Sequence, residues 1–287
     1  MIGSTLPQGL EPLGVTDTSG LFAPLLSELV RLLRALAPDD WLRPTIAGSW
    51  RVRDVAAHLL DGDLRKIAVY RDRHALPPDA PIDSDRDLAR FVNRLNAGGV
   101  SFADRLSARL LTDLLELTGA WTAELLTTLP LHGASIFPVN WAGEAVSENW
   151  MDTGREYTER WHHQAQIRDA VGAAQLLAPE WFMPLLDMSV RSLPVSYGRI
   201  DSSVGTSVVL QVTGETTAQF SVVRDASRWT VWRGAARSSG AVVRMASDDV
   251  WRMFYNALPE SDAHDRMTVN GDATLAMPLI RARSVIV

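Results

Sequence analysis

The sequence predicts an α plus α+β protein, with a four-helix bundle over residues 1–175 and a smaller mixed α/β domain over 176–287. Three observations carry that expectation. Leucine-rich segments with a helical apolar period recur as far as about residue 171. Beyond residue 204 the period falls to two, in short runs rich in β-branched residues. A chain of 287 residues also exceeds most single cores and suits two domains.

The first helix is expected in "LFAPLLSELVRLLRAL" (21–36), which "APDDW" ends. "SWRVRDVAAHLLDGDLRKIAVYRDRHAL" is the second, starting between Ser49 and Val52 and closed by proline-rich "PPDAPIDSD". A third long helix, or a broken pair, runs from Asp87 to about Leu129, with "NAGGV" as the expected kink. After the loop "LPLHGASIFPVNWAGEAVSE" comes a fourth helix, from about Glu148 to Val171. Four amphipathic helices with long connections read as a bundle. A further helix is expected near Pro179 to Ser192, then strands in "SVVLQVTG", "TAQFSVVRD", "RWTVWRG" and "AVVRMAS". The turn signals "GETT", "DAS" and "RSSG" separate the strands. "SDDVWRMFYNAL" reads as a helix with Ser247 as its N-cap, and the chain ends with a strand, a Gly-Asp turn and a helix.

Composition narrows the function. Hydrophobic residues make up 46% and charged residues 22%, the balance of an ordinary globular protein. A net charge of −6 and a pI of about 5.5 argue against nucleic acid as a partner. No apolar run reaches the length of a membrane span, and "MIGSTLPQGLEPLG" lacks the features of a signal peptide, so a cytoplasmic location is expected. Without cysteine the chain has no disulfide, thiolate ligand or cysteine nucleophile, and any thiol chemistry must import its sulfur. Lys66 is the single lysine, so nearly every positive charge is a guanidinium.

The stretch "EYTERWHHQAQIRDAVG" (156–172) places Glu159 and His163 one helical turn apart. Such a pair is suited to chelation, because the helix fixes both ligands before an ion arrives. His58 in the second helix is the best third ligand, and two nitrogens with one carboxylate leave an open position, as in catalytic zinc sites. A solvated helix face accounts for the same pattern. At 100° per residue Asp152, Glu156, Glu159, His163 and Gln166 form one stripe, with Trp150, Tyr157 and Trp161 opposite. Periodicity leaves both readings open.

Two motifs carry a resemblance. "GSWRVRDVAAHLLDGD" is similar to the Trp-x-Val-x-Asp-x-x-x-His-Leu entry of the DinB-like superfamily, in its mycothiol-dependent maleylpyruvate isomerase branch. "EYTERWHHQAQIRDAVG" resembles the Glu-x-x-x-His segment of that branch. "VVRMASDDVWRMF" and "VNGDATLAMPLI" resemble the sterol-carrier-like domain that often follows. The resemblance implies that His58, Glu159 and His163 hold zinc or another divalent metal, and that mycothiol or a related low-molecular-weight thiol is the co-substrate. It does not place His162 among the ligands. Gln166 stands where many relatives have Asp, next to a ligand, which puts the specific isomerase activity in question.

The implied chemistry is activation of the thiol as a thiolate, followed by S-transfer to, or cis-trans isomerisation of, a small electrophile. Arg86, Arg90, Arg281 and Arg283 are candidates for holding the thiol, with Arg94 continuing the first series; a solvated face explains them as well. Trp141 and Trp150 flank the loop before the metal helix and suit packing or ligand stacking equally. Two alternatives stand: a metal-dependent hydrolase that uses bound water with Glu156 as base, and a non-catalytic small-ligand-binding protein.

Overall fold

The computed structural model describes residues 9–285 and resolves two compact units. The helical unit comprises residues 17–136 and 148–175; the sheet unit comprises 9–16, 137–147 and 176–285.

The helical unit contains α1 (Phe22–Ala35), α2 (Val52–Tyr70), α3 (Asp85–Ala103), α4 (Ala108–Thr127) and α5 (Asn149–Val171). In α1 the buried residues Phe22, Leu25, Leu29 and Leu33 recur at three- and four-residue steps, the stripe that a helix needs to cover a core. Leu29 and Leu33 share one core cluster with Val55, Leu59, Leu111 and Leu115 from α2 and α4, and with Ile167 of α5. Of the two expected forms of the third segment, the structure has the broken pair, but not the expected breaking point. "NAGGV" lies inside α3, and the break comes at 104–107, where the Ser107 hydroxyl accepts from the Leu110 amide and starts α4. A local capping signal decided the break, while Gly98 and Gly99 were tolerated within the helix. At Gly99 the helix comes so close to α2 that an added Cβ would stand 2.3 Å from Asp61.

The motif around Trp50 has a structural logic. Asp54, three residues into α2, accepts the Arg51 amide at 2.9 Å and caps the helix, and Val52 is fully buried. At its other end α5 stops at Gly172, whose φ of 69° is left-handed and whose amide reaches the Arg168 and Asp169 carbonyls.

The sheet unit holds β1 (Glu11–Pro12), α6 (Pro179–Ser189), α7 (Leu193–Ser196), β2 (Ser207–Thr213), β3 (Ala218–Arg224), β4 (Trp229–Arg233), β5 (Ala241–Ala246), α8 (Ser247–Phe254), α9 (Glu260–Asp265), β6 (Met267–Gly271) and α10 (Ala273–Ile280). The strand order is β1-β4-β3-β2-β5-β6. β2 and β5 are parallel and every other pair is antiparallel. The register sets Leu210 beside Phe220 and Val243, all three fully buried, so one face of the central strands is core. Two local expectations change. Ser247 is the first residue of α8, with Ala246 at the cap, and the chain start supplies an edge strand, where Glu11 pairs with Arg233 and Pro12 with Trp232. A proline is acceptable at an edge because no neighbour asks for its missing N–H. Among the described residues no helix is long and apolar enough to cross a membrane.

Candidate metal centre

His58 projects from α2, and Glu159 and His163 from α5. One ligand atom from each comes within 4.8 Å of the other two. Atoms so placed lie within about 2.8 Å of a common point, so closure by roughly 0.7 Å reaches zinc bond lengths. The sequence-predicted triad is therefore brought together, and the solvated-stripe reading fails. Asp152, Glu156, His163 and Gln166 are buried, as are Tyr157 and Trp161 on the other side of α5.

The hydrogen bonds around the triad fit a cation. His163 Nδ1 lies 2.8 Å from Gln166 Oε1. An amide oxygen only accepts, so Nδ1 carries the proton and the lone pair of neutral His163 sits on Nε2. That nitrogen faces Glu159 Oε2 at 3.5 Å. Two acceptors turned toward each other are stabilised by a positive charge between them. His58 adds a buried Nδ1 with no hydrogen-bond partner. Burial, and then the neighbouring His163, push His58 well below the ordinary imidazole range, which keeps it neutral and able to donate a lone pair. Burial alone would raise Glu159, but the neighbouring His163, with His162 and Arg155, outweighs it and holds the carboxyl at about 2. Two imidazoles and one carboxylate are the donor set of a divalent site, and the residues fit such an ion.

Three neighbours were not picked out by sequence reasoning. The Trp50 ring lies 5.0 Å from that of His58 and 6.4 Å from that of His163, forming an aromatic wall on both. Its signal was in the sequence, as the first residue of the Trp-x-Val-x-Asp-x-x-x-His motif. Lys66 and Arg160 are buried or nearly so, and are held by carboxylates. Lys66 Nζ stands 3.2 Å from Asp152 and 3.0 Å from Glu156, while Arg160 reaches Glu156 at 2.7 Å and Asp63 at 2.5 Å. His162 is buried against the His163 ring with Nδ1 2.8 Å from the Thr158 carbonyl; burial, and then His163, push it down to about 3.

None of the other candidates is among the three converging side chains. Arg86 and Arg90 are exposed on α3, where Arg90 pairs with Asp87; Arg94 pairs with Asp79. Arg281 and Arg283 belong to the sheet unit, where Arg281 holds Glu260 at 2.9 Å and Arg283 contacts Asn256 at 3.3 Å. Trp141 also belongs to the sheet unit, and Trp150 donates to Glu148 at 2.6 Å.

Residues 22–168, which include all three candidate ligands, match the sequence pattern described as the mycothiol maleylpyruvate isomerase N-terminal domain. The chain belongs to that family. Two solved structures share the fold: a mycothiol-dependent maleylpyruvate isomerase (14% identity, TM-score 0.53) and a histidine-to-alanine mutant of a mycothiol-dependent maleylpyruvate isomerase (12%, 0.52). Each likeness covers 89% of this chain and 93% of the other. No curated protein matches the chain.

Proposed function

We propose that this family member is an enzyme that binds a divalent ion, zinc in the first instance, at His58, Glu159 and His163. It activates a low-molecular-weight thiol of the mycothiol type for isomerisation of, or S-transfer to, a small electrophile. The observation that carries the reading is the convergence of three ligand atoms from two helices, with the lone pair of His163 facing a carboxylate. Family membership and the fold shared with mycothiol-dependent isomerases support it. The helical unit is then the DinB-like bundle, its third helix split into α3 and α4, the sheet unit, most of it beyond residue 176, the sterol-carrier-like domain, and the cytoplasm the place of work.

A divalent ion held by this donor set supplies Lewis acidity, which lowers the pKa of a thiol enough for it to react as thiolate at neutral pH. The protein's part is positional. Gln166 fixes the tautomer of His163, and Trp50 walls one side of both histidines. The charge count favours an anionic partner. Glu159 offsets one of the two positive charges of the ion, while the three cations Lys66, Arg155 and Arg160 are matched by Asp63, Asp152 and Glu156. In the isomerase form, sulfur adds to one carbon of a conjugated double bond, the resulting single bond rotates, and elimination restores the double bond and returns the thiol. In the transferase form the carbon–sulfur bond is kept or a leaving group departs.

The hydrolase alternative loses its base. Glu156 is bonded to Lys66, Arg155 and Arg160 and, despite the opposing effect of burial, is held far below the ordinary carboxylate range. It is a poor proton acceptor at neutral pH. The test compares wild type with His163→Ala for metal content by elemental analysis and for thiol-dependent turnover of conjugated acids. Both should fall together while the helical circular dichroism persists. Full turnover without thiol, or in metal-free protein, would falsify the mechanism.

A further inference from the structure

The two helices that carry the ligands are also joined by a buried ladder of charge. From α2 come Asp63, Lys66 and Tyr70; from α5 come Asp152, Glu156 and Arg160. Arg160 bridges Asp63 and Glu156, at 2.5 and 2.7 Å. Lys66 bridges Glu156 and Asp152, at 3.0 and 3.2 Å, and the Tyr70 hydroxyl donates to Asp152. Arg155 closes the α5 side, its Nε bonded to Asp152 at 3.0 Å and an Nη to Glu156 at 2.9 Å. Of these side chains Arg155 is the most open, at 19%.

The order of the rungs defines an axis. Asp63 and Lys66 follow His58 by five and eight residues, roughly 7.5 and 12 Å along α2. Glu156 and Asp152 precede Glu159 by three and seven residues, so the rungs climb one helix as they descend the other. We propose that this ladder sets the axial register of α2 against α5, and thereby holds His58 at ligating distance from Glu159 and His163. Asp63, Lys66 and Arg160 are thus positioning residues of the metal centre. The inference rests on the metal reading above and adds to it the origin of the site's geometry.

The physical reason is a difference between kinds of contact. Leucines packed between two helices tolerate a slide of an ångström or so with modest loss, whereas bridged ion pairs lose partners. Buried ion pairs are poor sources of net stability, since apolar replacements of similar size are often neutral or better; their attested use is to fix a register. Metal ligands are sensitive to such a slide, because three atoms from two helices must share bonds of about 2.0–2.2 Å. The surroundings of one rung allow a clean separation of register from stability. Asp63 and Arg160 line a small cavity whose other walls include Leu25, Leu26, Leu29, Leu59 and Leu115, so apolar side chains are accommodated there.

The experiment replaces that rung in the full-length protein with Asp63→Leu/Arg160→Met, which leaves net charge unchanged. Zinc affinity is measured by competition with a chromophoric chelator, and the ligand field by the visible spectrum of the cobalt-loaded protein. The expected result is a thermal midpoint of the metal-free variant equal to or above wild type. Zinc affinity should nevertheless be roughly ten- to a hundredfold weaker, the range found when groups that orient ligands are removed, and the cobalt spectrum should be altered. Leu115→Ala is the control: it loosens the same core without touching the ladder, and its folded form should keep zinc affinity within about twofold.

Zinc affinity and cobalt spectrum unchanged in the folded double variant overturn the proposal. So does an equal loss in Leu115→Ala, which would make the effect one of general destabilisation. Should the double variant not fold, Arg160→Lys keeps the charge but replaces the two-nitrogen fork that holds Asp63 and Glu156 by a single nitrogen, which loosens the rung; wild-type affinity there overturns the proposal equally. A wild type that binds no divalent ion sinks the metal reading itself. Tight wild-type binding with indifferent variants sinks only the ladder.

Discussion

Among the described residues, the buried ionic side chains Asp54, Asp63, Lys66, Asp152, Glu156 and Arg168 all lie in the helical unit. The buried polar side chains of the sheet unit are hydroxyls: Ser147, Ser189, Ser192, Ser207, Thr216, Ser221, Ser247 and Ser284. The contrast follows from what each interior must do. A sheet pairs its backbone through the ladder of strands, and a serine inside needs only one nearby carbonyl, as Ser221 finds at Gly234 and Ser284 at Ser189. Charges inside a helical core require each other, and persist only where every partner is in place. The sheet unit therefore has an interior that stabilises, and the helical unit one that also positions.

The strongest way to break this contrast is to remove a ligand on one side and a core leucine on the other. His58→Ala should lower zinc affinity by more than about a hundredfold, beyond the effect of losing an orienting group, while costing little in fold stability. Leu210→Ala, at a fully buried position of β2, should cost about 2–5 kcal/mol in stability and leave zinc stoichiometry unchanged. Equilibrium denaturation with elemental analysis reads both. Loss of bound metal from folded Leu210→Ala would show that the division of labour is wrong.

The next pair compares ions in the two units. Lys66→Met leaves Asp152 and Glu156 buried with one cation fewer and should cost about 3–5 kcal/mol. Arg233→Met removes the forked pair with Asp187, at 2.6 and 2.7 Å, but this guanidinium is 37% exposed, so about 1 kcal/mol is expected. Acid titration sharpens the comparison. Burial pushes Asp152 and Glu156 up, yet Lys66 and the arginines outweigh it and depress both. A depressed carboxyl contributes stability that is present above its unfolded value, 3.8 for Asp152 and 4.5 for Glu156, and that is lost as pH falls through the folded value. Lys66→Met raises the folded values and should therefore move the onset of acid unfolding upward. An unchanged acid midpoint would show that Lys66 is not the counter-ion.

A smaller effect is expected at Gln166. Gln166→Leu deprives His163 Nδ1 of its acceptor and frees the tautomer, so zinc affinity should fall about ten- to a hundredfold with the fold intact. Gln166→Glu restores an acceptor and should recover most of the loss. Equal affinity in Gln166→Leu and wild type would remove the amide from the design.

The three converging side chains were legible before the fold was. Glu159 and His163 stand one turn apart on a helix, and His58 sits in a motif whose Trp50 and Asp54 have local reasons to be there. The change of period likewise announced the strands β2 to β5. The burial of α5 was not legible. A helix carrying Asp152, Glu156, Glu159 and His163 on one stripe reads as solvated, because Lys66, the cation that pairs with Asp152 and Glu156, lies some ninety residues earlier in another helix. Nothing local distinguishes a charge that faces water from one that faces its counter-ion. The edge strand at Glu11–Pro12 was hidden for a similar reason: two residues have no period, and only the pairing with β4 defines them.

The smallest effects are expected at the arginines of the surface, where the contrast between buried and solvated charge can be taken to its limit. Arg90 on α3 already pairs with Asp87, and Arg281 in the sheet unit with Glu260, both pairs open to water. A solvated guanidinium gives up little when it loses such a partner, because water replaces it and the side chain regains its rotamers. Arg90→Ala and Arg281→Ala should each leave the thermal midpoint within about a degree of wild type and zinc affinity unchanged. The discriminating readout is the KM for the thiol. An arginine that held the thiol would be released from its acidic neighbour by the ligand, so its loss would raise KM at constant kcat, and more steeply at low salt, where exposed charges act over a longer range. Because each guanidinium is already occupied, the expected change is under about twofold at every salt concentration. A KM raised tenfold in Arg90→Ala, with stability and metal content untouched, would instead move α3 from solvated surface to substrate wall.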